Sequence, residues 1–212
     1  MLSEIPSHFK RSTKLNPHFA YAHTLSGHEY VASEDFEQAQ KSYQHALSAD
    51  QKHYNAWWGL GNIYLKQEKY DQAIQYFKYA IGINSRSSVL YTYLGMTHFH
   101  HRQSREALNC FEIAEKMDPN NPLNKYQKAT VLISMNQLEE ALRVLEELNV
   151  RVPREAPIHV LIGKVYKRLG NKDKALAQYN MAMDLDPKEA NMIKSLIDKL
   201  DRENEANEDN EL

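Results

Sequence analysis

Residues 53–64 read HYNAWWGLGNIY, and this stretch decides the fold because it recurs, with substitutions, every 34 residues. Within it, Trp57, Leu60, Gly61 and Tyr64 show the spacing W-x2-L-G-x2-Y. A period of this length indicates a helical hairpin that cannot bury its apolar face alone and must stack on its neighbours. Five units counted at this period begin at Ala20, Tyr54, Ser88, Pro122 and Ala156.

Small and bulky side chains alternate at fixed positions of each unit. Small residues allow the two helices of a hairpin to approach closely, and one bulky residue fills the space between them. A proline at the end of a unit stops the preceding helix. Position 8 reads Gly27, Gly61, Gly95, Ala129 and Gly163; position 20 reads Ala39, Ala73, Ala107, Ala141 and Ala175; position 24 reads Tyr43, Phe77, Phe111, Leu145 and Tyr179; position 27 reads Ala46, Ala80, Ala114, Leu148 and Ala182; position 32 reads Gln51, Ser85, Pro119, Pro153 and Pro187.

This pattern is identified as the tetratricopeptide repeat (TPR), so the sequence predicts an all-α TPR solenoid, a right-handed superhelix of helix-turn-helix units. The fourth unit is the most degenerate, since Lys125, Lys128 and Ala129 replace consensus residues in its first helix. The predicted repeats span residues 20–53, 54–87, 88–121, 122–155 and 156–189.

The two ends of the chain differ from the repeats. Residues 1–19 resemble the second helix of an earlier repeat, and we expect residues 1–15 to fray. After the fifth repeat, Met192, Ile193, Leu196, Ile197 and Leu200 share one helical face, which predicts a capping helix over residues 190–200. Residues 201–212 are acidic and poor in apolar side chains, which predicts a disordered tail.

Composition excludes several classes of function. The net charge of the 212 residues is -2, which is not the basic surface that binding to nucleic acid requires. The single Cys110 excludes an internal disulfide and favours a reducing compartment. No apolar run is long enough to span a membrane, and residues 1–14 lack the apolar core of a signal peptide. We therefore expect a soluble, intracellular protein.

Motifs for chemistry are missing. His28-Glu29 begins like a zinc-protease motif, but the fifth residue is Ala32 and the second ligand is absent. The cluster of His98, His100 and His101 has no carboxylate or cysteine at ligand spacing, so packed and solvated histidines are favoured over a metal site. The sequence predicts a non-enzymatic chain without cofactor or metal.

The remaining candidate site is the concave groove that the first helices of a TPR array line. Two asparagines flank Trp58, and they could hold an extended peptide by its backbone amides while the indole covers an apolar side chain. The alternative is that Trp58 packs against the neighbouring repeat. Lys164, Lys167 and Arg168 form a basic end that either attracts an acidic segment or keeps the helix solvated. Further expected groove residues are Tyr21, Thr24, His28, Val31, Asn55, Asn62, Leu65, Lys66, Val89, Thr92, Met96, Phe99, Leu123, Tyr126, Thr130 and Val160.

Two longer strings carry a more specific resemblance. Residues 20–29, AYAHTLSGHE, and residues 53–61, HYNAWWGLG, resemble the TPR scaffold subunit of the anaphase-promoting complex (cyclosome) that receives coactivators. Residues 161–167, LIGKVYK, and residues 182–188, AMDLDPK, are similar to its last repeats. The likeness runs from residue 9 to residue 200, and the bare TPR consensus requires neither GHE nor HYNAW.

The resemblance implies a non-catalytic scaffold of a ubiquitin ligase that acts in mitosis and the cell cycle, in nucleus and cytoplasm. Its implied partners are other subunits and the C-terminal Ile-Arg tails of coactivators or of a core subunit. Family members homodimerise through N-terminal repeats that this sequence lacks, so a homodimer is not expected here. The repeat that would precede Ile5 supplies part of the family's tail pocket.

Residues of this sequence would then form the remaining side of the pocket. Asn55 or Asn62 is expected to donate a hydrogen bond to the tail carboxylate, and Glu29 to accept hydrogen bonds from the guanidinium. Trp58 is expected to form one wall of the apolar slot. The expected peptide-binding residues are Tyr21, Thr24, His28, Glu29, Asn55, Trp58, Asn62 and Lys66.

Three other readings compete with this one. A co-chaperone that grips acidic tails needs lysines or arginines at groove positions 2, 5 and 6, where the first three units have no base at positions 2 and 5. The TPR arm of a glycosyltransferase would need a catalytic domain as well. A TPR adaptor of another multiprotein assembly is equally compatible with the repeat pattern.

Overall fold

A computed structural model describes the backbone of residues 19–208 and the side chains of residues 19–200. Those residues form eleven α-helices, and the all-α TPR fold is confirmed. Residues 1–18, with most of the predicted helix remnant, lie outside the described residues. The helices are α1 (Ala20–Ala32), α2 (Phe36–Ala49), α3 (Tyr54–Lys66), α4 (Tyr70–Ile83), α5 (Ser88–His100), α6 (Ser104–Met117), α7 (Pro122–Ser134), α8 (Leu138–Arg151), α9 (Ala156–Arg168), α10 (Lys172–Leu185) and α11 (Ala190–Glu208).

The first ten helices form five hairpins, whose first helices begin at the residues from which the 34-residue period was counted. The helices fall into two compact units, divided between Pro119 and Asn120. Unit 1 contains α1 to α6 and unit 2 contains α7 to α11. None of the helices within residues 19–208 combines the length and the apolar composition needed to cross a membrane.

The small and bulky columns meet inside each hairpin, as the sequence predicts. The rings of Tyr43, Phe77, Phe111 and Tyr179 are fully buried. A β-carbon added at the position-8 glycine of the same hairpin would lie 2.5–2.7 Å from the nearest ring atom. Such a distance is well inside ordinary van der Waals contact, so only glycine admits these rings. The alanines at position 20 are also fully buried.

Each hairpin turn contains one residue with a left-handed backbone, always at position 15. In the second hairpin this residue is Glu68, with φ of 59°. Its amide donates to the Leu65 carbonyl and the next amide, that of Lys69, donates to the Tyr64 carbonyl. This pair of bonds is a Schellman motif, which ends the first helix and reverses the chain. The five residues are Glu34, Glu68, Arg102, Asn136 and Gly170.

Helix α11 closes the apolar end of α9 and α10. Ile193 and Leu200 are buried against a cluster that includes Tyr179 and Ala182, while Met192 is exposed. The helix continues to Glu208, so the predicted end at residue 200 is too early, and residues 201–208 are helical rather than part of a disordered tail. Arginine, glutamate and alanine in this segment are good helix formers, which explains the extension. Residues 209–212 lie outside the described part.

Candidate peptide-binding groove

Trp58 joins the first helices of the three hairpins of unit 1. Its indole ring lies edge-on to His28 of α1, with ring centroids 5.5 Å apart, and edge-on to Tyr93 of α5, at 5.2 Å. The side chain is half-buried, and part of it packs on the core around Phe77. Among the described residues its indole nitrogen is buried without a hydrogen-bond partner. Trp58 therefore both packs against neighbouring repeats and borders the groove.

An open hollow lies on either side of Trp58. The Asn62 hollow has a volume of about 380 Å³ and the Asn55 hollow about 220 Å³. The two asparagines thus lie on opposite sides of the indole. The Asn62 hollow is lined by His28, Val31, Ala32, Glu34, Trp58, Asn62 and Lys66. The Asn55 hollow is lined by Tyr54, Asn55, Trp58, Ser87, Val89 and Leu90.

The two hollows differ in charge. The Asn62 hollow carries one acid, Glu34, and one base, Lys66, whereas the lining of the Asn55 hollow has no charged side chain. Glu29, the acid that the sequence predicts for this site, is exposed but lines neither hollow. Glu34, the residue with a left-handed backbone in the turn after α1, is the acid that lines the Asn62 hollow. Its position 15 in the unit was the available signal, and sequence reasoning missed it.

His28 connects the groove to the core of the first hairpin. Its Nδ1 lies 2.7 Å from the hydroxyl oxygen of Tyr43, which is fully buried. The imidazole is half-buried, and burial is the main cause that lowers its pKa below the ordinary value. Glu29 raises the pKa and His53 lowers it, both by smaller amounts. The ring is therefore held neutral near neutral pH.

The prediction that Thr24 lines the groove is wrong. Thr24 is 1% exposed, and its hydroxyl donates to the Ala20 carbonyl one turn earlier in α1. Thr92, at the same position of the third unit, is also buried and donates to the Ser88 carbonyl. A threonine hydroxyl on a helix commonly makes this bond, so the side chain turns toward its own backbone. Tyr21 is exposed but borders neither hollow.

Unit 2 has two hollows of its own, a mainly apolar one of about 400 Å³ and one of about 350 Å³ that charged side chains also line, and the two share Tyr126 and Pro157. Leu123 lines the first, and Lys164 lines the second, as the sequence predicts for groove positions. Arg168 is not a free cation. Its guanidinium donates to the Ile133 carbonyl and, at 2.7 Å, to the Asn136 side chain, so it caps the C-terminal end of α7.

A larger hollow of about 860 Å³ lies on the second-helix side of unit 1, around Trp57. The Trp57 ring stacks on Tyr76 at 6.0 Å and lies 5.3 Å from Tyr79. Its indole nitrogen donates to the Gln51 carbonyl at 2.9 Å. Unlike Trp58, Trp57 therefore has its polar atom satisfied within the chain.

The histidine cluster in α5 is dispersed among separate partners. His98 donates from Nδ1 to Gln103 at 2.6 Å, His100 stacks on Tyr70, and His101 lies 3.3 Å from the Asp71 carboxylate. Over the described residues, no group of three or more His, Cys, Asp or Glu side chains is placed to hold a metal ion. Cys110 is buried, and burial raises the pKa of its thiol to about 11, which makes it unreactive.

The repeats and the groove together define the class of the protein. A family model described as tetratricopeptide repeat matches residues 24–88, and one described as Psidin, N-terminal TPR repeats region, matches residues 90–208. The second model alone covers more than half of the chain. The chain belongs to the tetratricopeptide-repeat family.

Two relatives narrow this class. Over 90% of its length the chain is 39% identical to anaphase-promoting complex subunit 3 of Schizosaccharomyces pombe, of which it covers 29%. Over 94% of its length it is 46% identical to cell division cycle protein 27 homolog B of Arabidopsis thaliana, of which it covers 27%. The predicted resemblance to the scaffold subunit of that complex is confirmed. The chain spans little more than a quarter of these curated relatives.

A solved structure agrees in fold. The Cut9–Hcn1 hetero-tetramer of the anaphase-promoting complex superposes with a TM-score of 0.81 at 18% identity, over 94% of this chain and 39% of that one. At this identity the likeness shows the fold alone. The sequence relatives are named as a complex subunit and a cell division cycle protein, and the chain is similar to a part of each.

Proposed function

We propose that the chain is a scaffold region of an anaphase-promoting complex, and that its groove at Trp58 binds the C-terminal Ile-Arg tail of a partner. The observation that carries the proposal is the pair of hollows beside Trp58, one uncharged and one with an acid and a base. An Ile-Arg terminus has the matching chemistry, because an apolar side chain is followed by a residue that carries both a cation and a carboxylate.

The tail would lie across the indole. In an extended peptide, successive side chains point to opposite sides at a rise of about 3.3 Å per residue. The isoleucine would enter the Asn55 hollow against Val89, and the arginine would enter the Asn62 hollow. Its guanidinium would pair with Glu34, and its carboxylate would accept from Asn62 or Lys66. Asn55 would hold the peptide backbone, and the Trp58 indole would cover the isoleucine.

Similarity to the subunit 3 and cell division cycle proteins supports the wider role. By analogy with those named relatives, the partners would be other subunits of the complex. The tails of coactivators would join them, as the resemblance of residues 20–29 and 53–61 to the coactivator-receiving subunit implies. The role would be in cell-cycle control at mitosis, within the ubiquitin-conjugation pathway, and the chain would act in nucleus and cytoplasm.

The groove is tested by titrating the chain with a fluorescent peptide that ends in Ile-Arg with a free carboxylate. Replacing Asn62 by alanine or Glu34 by glutamine should weaken binding about tenfold, since each removes one charge-assisted hydrogen bond. The matched control is Asn109→Ala, because Asn109 is an exposed asparagine on the second helix α6. An amidated peptide should bind weakly to every variant. Equal affinity of the wild type for the free and amidated peptides would contradict the proposal.

The assembly is tested by affinity purification of the tagged chain from dividing cells, followed by identification of the subunits that co-purify. Recovery of core subunits of the ubiquitin ligase is the expected result. The control is the chain with Trp58→Ala and Asn62→Ala, which should lose the tail-bearing partners selectively. Recovery of an unrelated assembly, with no subunit of the ligase, would favour the reading as an adaptor of another complex.

A further inference from the structure

The imidazole of His28 stands between the buried core and the Asn62 hollow. Its Nδ1 is 2.7 Å from the Tyr43 hydroxyl oxygen, and its ring lies edge-on to both Tyr43 and Trp58, with centroids 5.5 Å apart in each case. The ring lines the hollow, whereas Tyr43 is fully buried. His28 is thus a groove residue whose side-chain orientation is fixed by its hydrogen bond to the buried Tyr43.

The hydrogen bond to Tyr43 selects one tautomer. Tyr43 has one hydroxyl hydrogen, and among residues 19–200 its only hydrogen-bond partner is Nδ1 of His28. If the imidazole donated from Nδ1, the buried hydroxyl hydrogen would have no acceptor, which is costly. If Tyr43 donates to Nδ1, both groups are satisfied and the ring proton resides on Nε2. The second arrangement is favoured because it leaves no donor stranded in the core.

We propose that His28 is a specificity-determining residue of the groove: Tyr43 fixes the neutral ring with its proton on Nε2, and that N–H donates to the terminal carboxylate of the bound tail. Within the described residues, Nε2 has no hydrogen-bond partner, so the donor is available to a ligand. The identity of the acceptor rests on the proposed function. The tautomer rests on the geometry of the free protein alone.

The surrounding charges are compatible with a neutral ring. Burial lowers the pKa of His28, Glu29 on the same helix raises it, and His53 before α3 lowers it. Across the hollow, α3 contributes Lys66 and the turn after α1 contributes Glu34. Protonation would also add a hydrogen at Nδ1, where it would face the hydroxyl hydrogen of Tyr43. A carboxylate bound at Nε2 would favour the charged ring, so binding should raise the pKa of His28.

The tautomer is tested by long-range ¹H–¹⁵N correlation of the imidazole in the full chain, at about pH 7.5 where an ordinary histidine is neutral. The expected pattern is that of a proton on Nε2. Tyr43→Phe keeps the ring shape but removes the hydroxyl, and it should give a mixture of tautomers with a higher pKa. The His45→Ala variant is the control, since His45 is exposed on α2 and should leave the His28 signals unchanged. A proton on Nδ1, or no effect of Tyr43→Phe, would overturn the inference.

The donor role is tested with the Ile-Arg peptide. His28→Ala should weaken binding about tenfold, which is the usual effect of losing a hydrogen bond to a charged group. His28→Gln, whose amide can reach a similar point, should restore most of the affinity, and the pKa of His28 should rise when the peptide binds. If the wild type binds the peptide but His28→Ala binds equally well, this inference fails while the proposed function stands. If the wild type does not bind, the proposed function fails together with the carboxylate acceptor.

Discussion

Two glycines in neighbouring helices offer a matched test of the packing between the glycines at position 8 and the bulky residues at position 24. Gly61 of α3 lies against the ring of Phe77, and an added β-carbon would be 2.7, 2.8 and 3.0 Å from three of its atoms. Gly82 of α4 is exposed, and an added β-carbon would meet nothing within 4 Å. Alanine at both sites gains helix propensity, so the two substitutions differ in the contact with Phe77.

The expected magnitudes follow from these distances. Replacing glycine by alanine in a helix gains about 0.5–1 kcal/mol. Carbon atoms in ordinary contact are about 3.5–4.0 Å apart, so at Gly61 the Phe77 ring must retreat by roughly 1 Å. Phe77 is fully buried, and overpacking a close-packed core costs about 1–3 kcal/mol. We expect Gly61→Ala to lose about 1 kcal/mol of unfolding free energy and Gly82→Ala to gain about 0.5 kcal/mol or more.

The assay is urea unfolding of the full chain followed by far-ultraviolet circular dichroism. The urea concentration at the transition midpoint should fall for Gly61→Ala and rise for Gly82→Ala. The slope of the unfolding free energy against urea concentration, the m-value, should stay unchanged in both variants. Because helix propensity contributes to both variants, the difference between them measures the overpacking. A Gly61→Ala chain that is as stable as Gly82→Ala would refute the claim that the glycine column exists to admit the aromatic ring.

Three further predictions concern turns, pH and a helix cap. Glu68→Gly relieves a left-handed backbone at a non-glycine residue and should raise the unfolding free energy by about 0.5–1 kcal/mol, measured in urea. Burial lowers the pKa of His28, so below about pH 6.5 the unfolded state binds more protons than the folded state. The stability contributed by the neutral ring is therefore present above that pH and is lost as pH falls through the folded pKa. We expect His28→Gln to flatten the decline of Tm between about pH 7.5 and pH 5. Arg168→Ala should cost about 1 kcal/mol by uncapping α7, whereas Lys164→Ala, at an exposed neighbour, should cost less than about 0.5 kcal/mol in the same urea assay.

Much of the fold was predictable because the packing of a TPR hairpin depends on the type of residue at a few fixed positions. The bulky residues at position 24, such as Tyr43 and Phe77, and the alanines at position 20, such as Ala73, recur at one period and are all fully buried. Where the sequence of one unit is ambiguous, the same positions in the other units indicate where its helices begin and end. The last helix was less predictable because no neighbouring unit fixes its end, and its acidic composition suggested disorder.

The candidate site was only partly predictable. The spacing of Asn55, Trp58 and Asn62 along one helix was enough to place the two amides on opposite sides of the indole. The sequence could not show that Thr24 would bond to its own helix, because a hydroxyl can turn either to the groove or to the backbone. Nor could it show that Glu34, and not Glu29, lines the Asn62 hollow, because that depends on a left-handed turn that usually favours glycine.

The most direct test of the central claim uses the two tryptophans as reporters of the two faces. Trp58 borders both hollows of the groove and has a buried indole N–H without a partner in the described structure, whereas the Trp57 indole N–H donates to Gln51 on the second-helix side. An ¹H–¹⁵N spectrum recorded as the Ile-Arg peptide is added should show the Trp58 indole signal moving progressively and the Trp57 signal staying in place. Movement of the Trp57 signal alone, or of neither signal at saturating peptide, would contradict a tail-binding groove at Trp58.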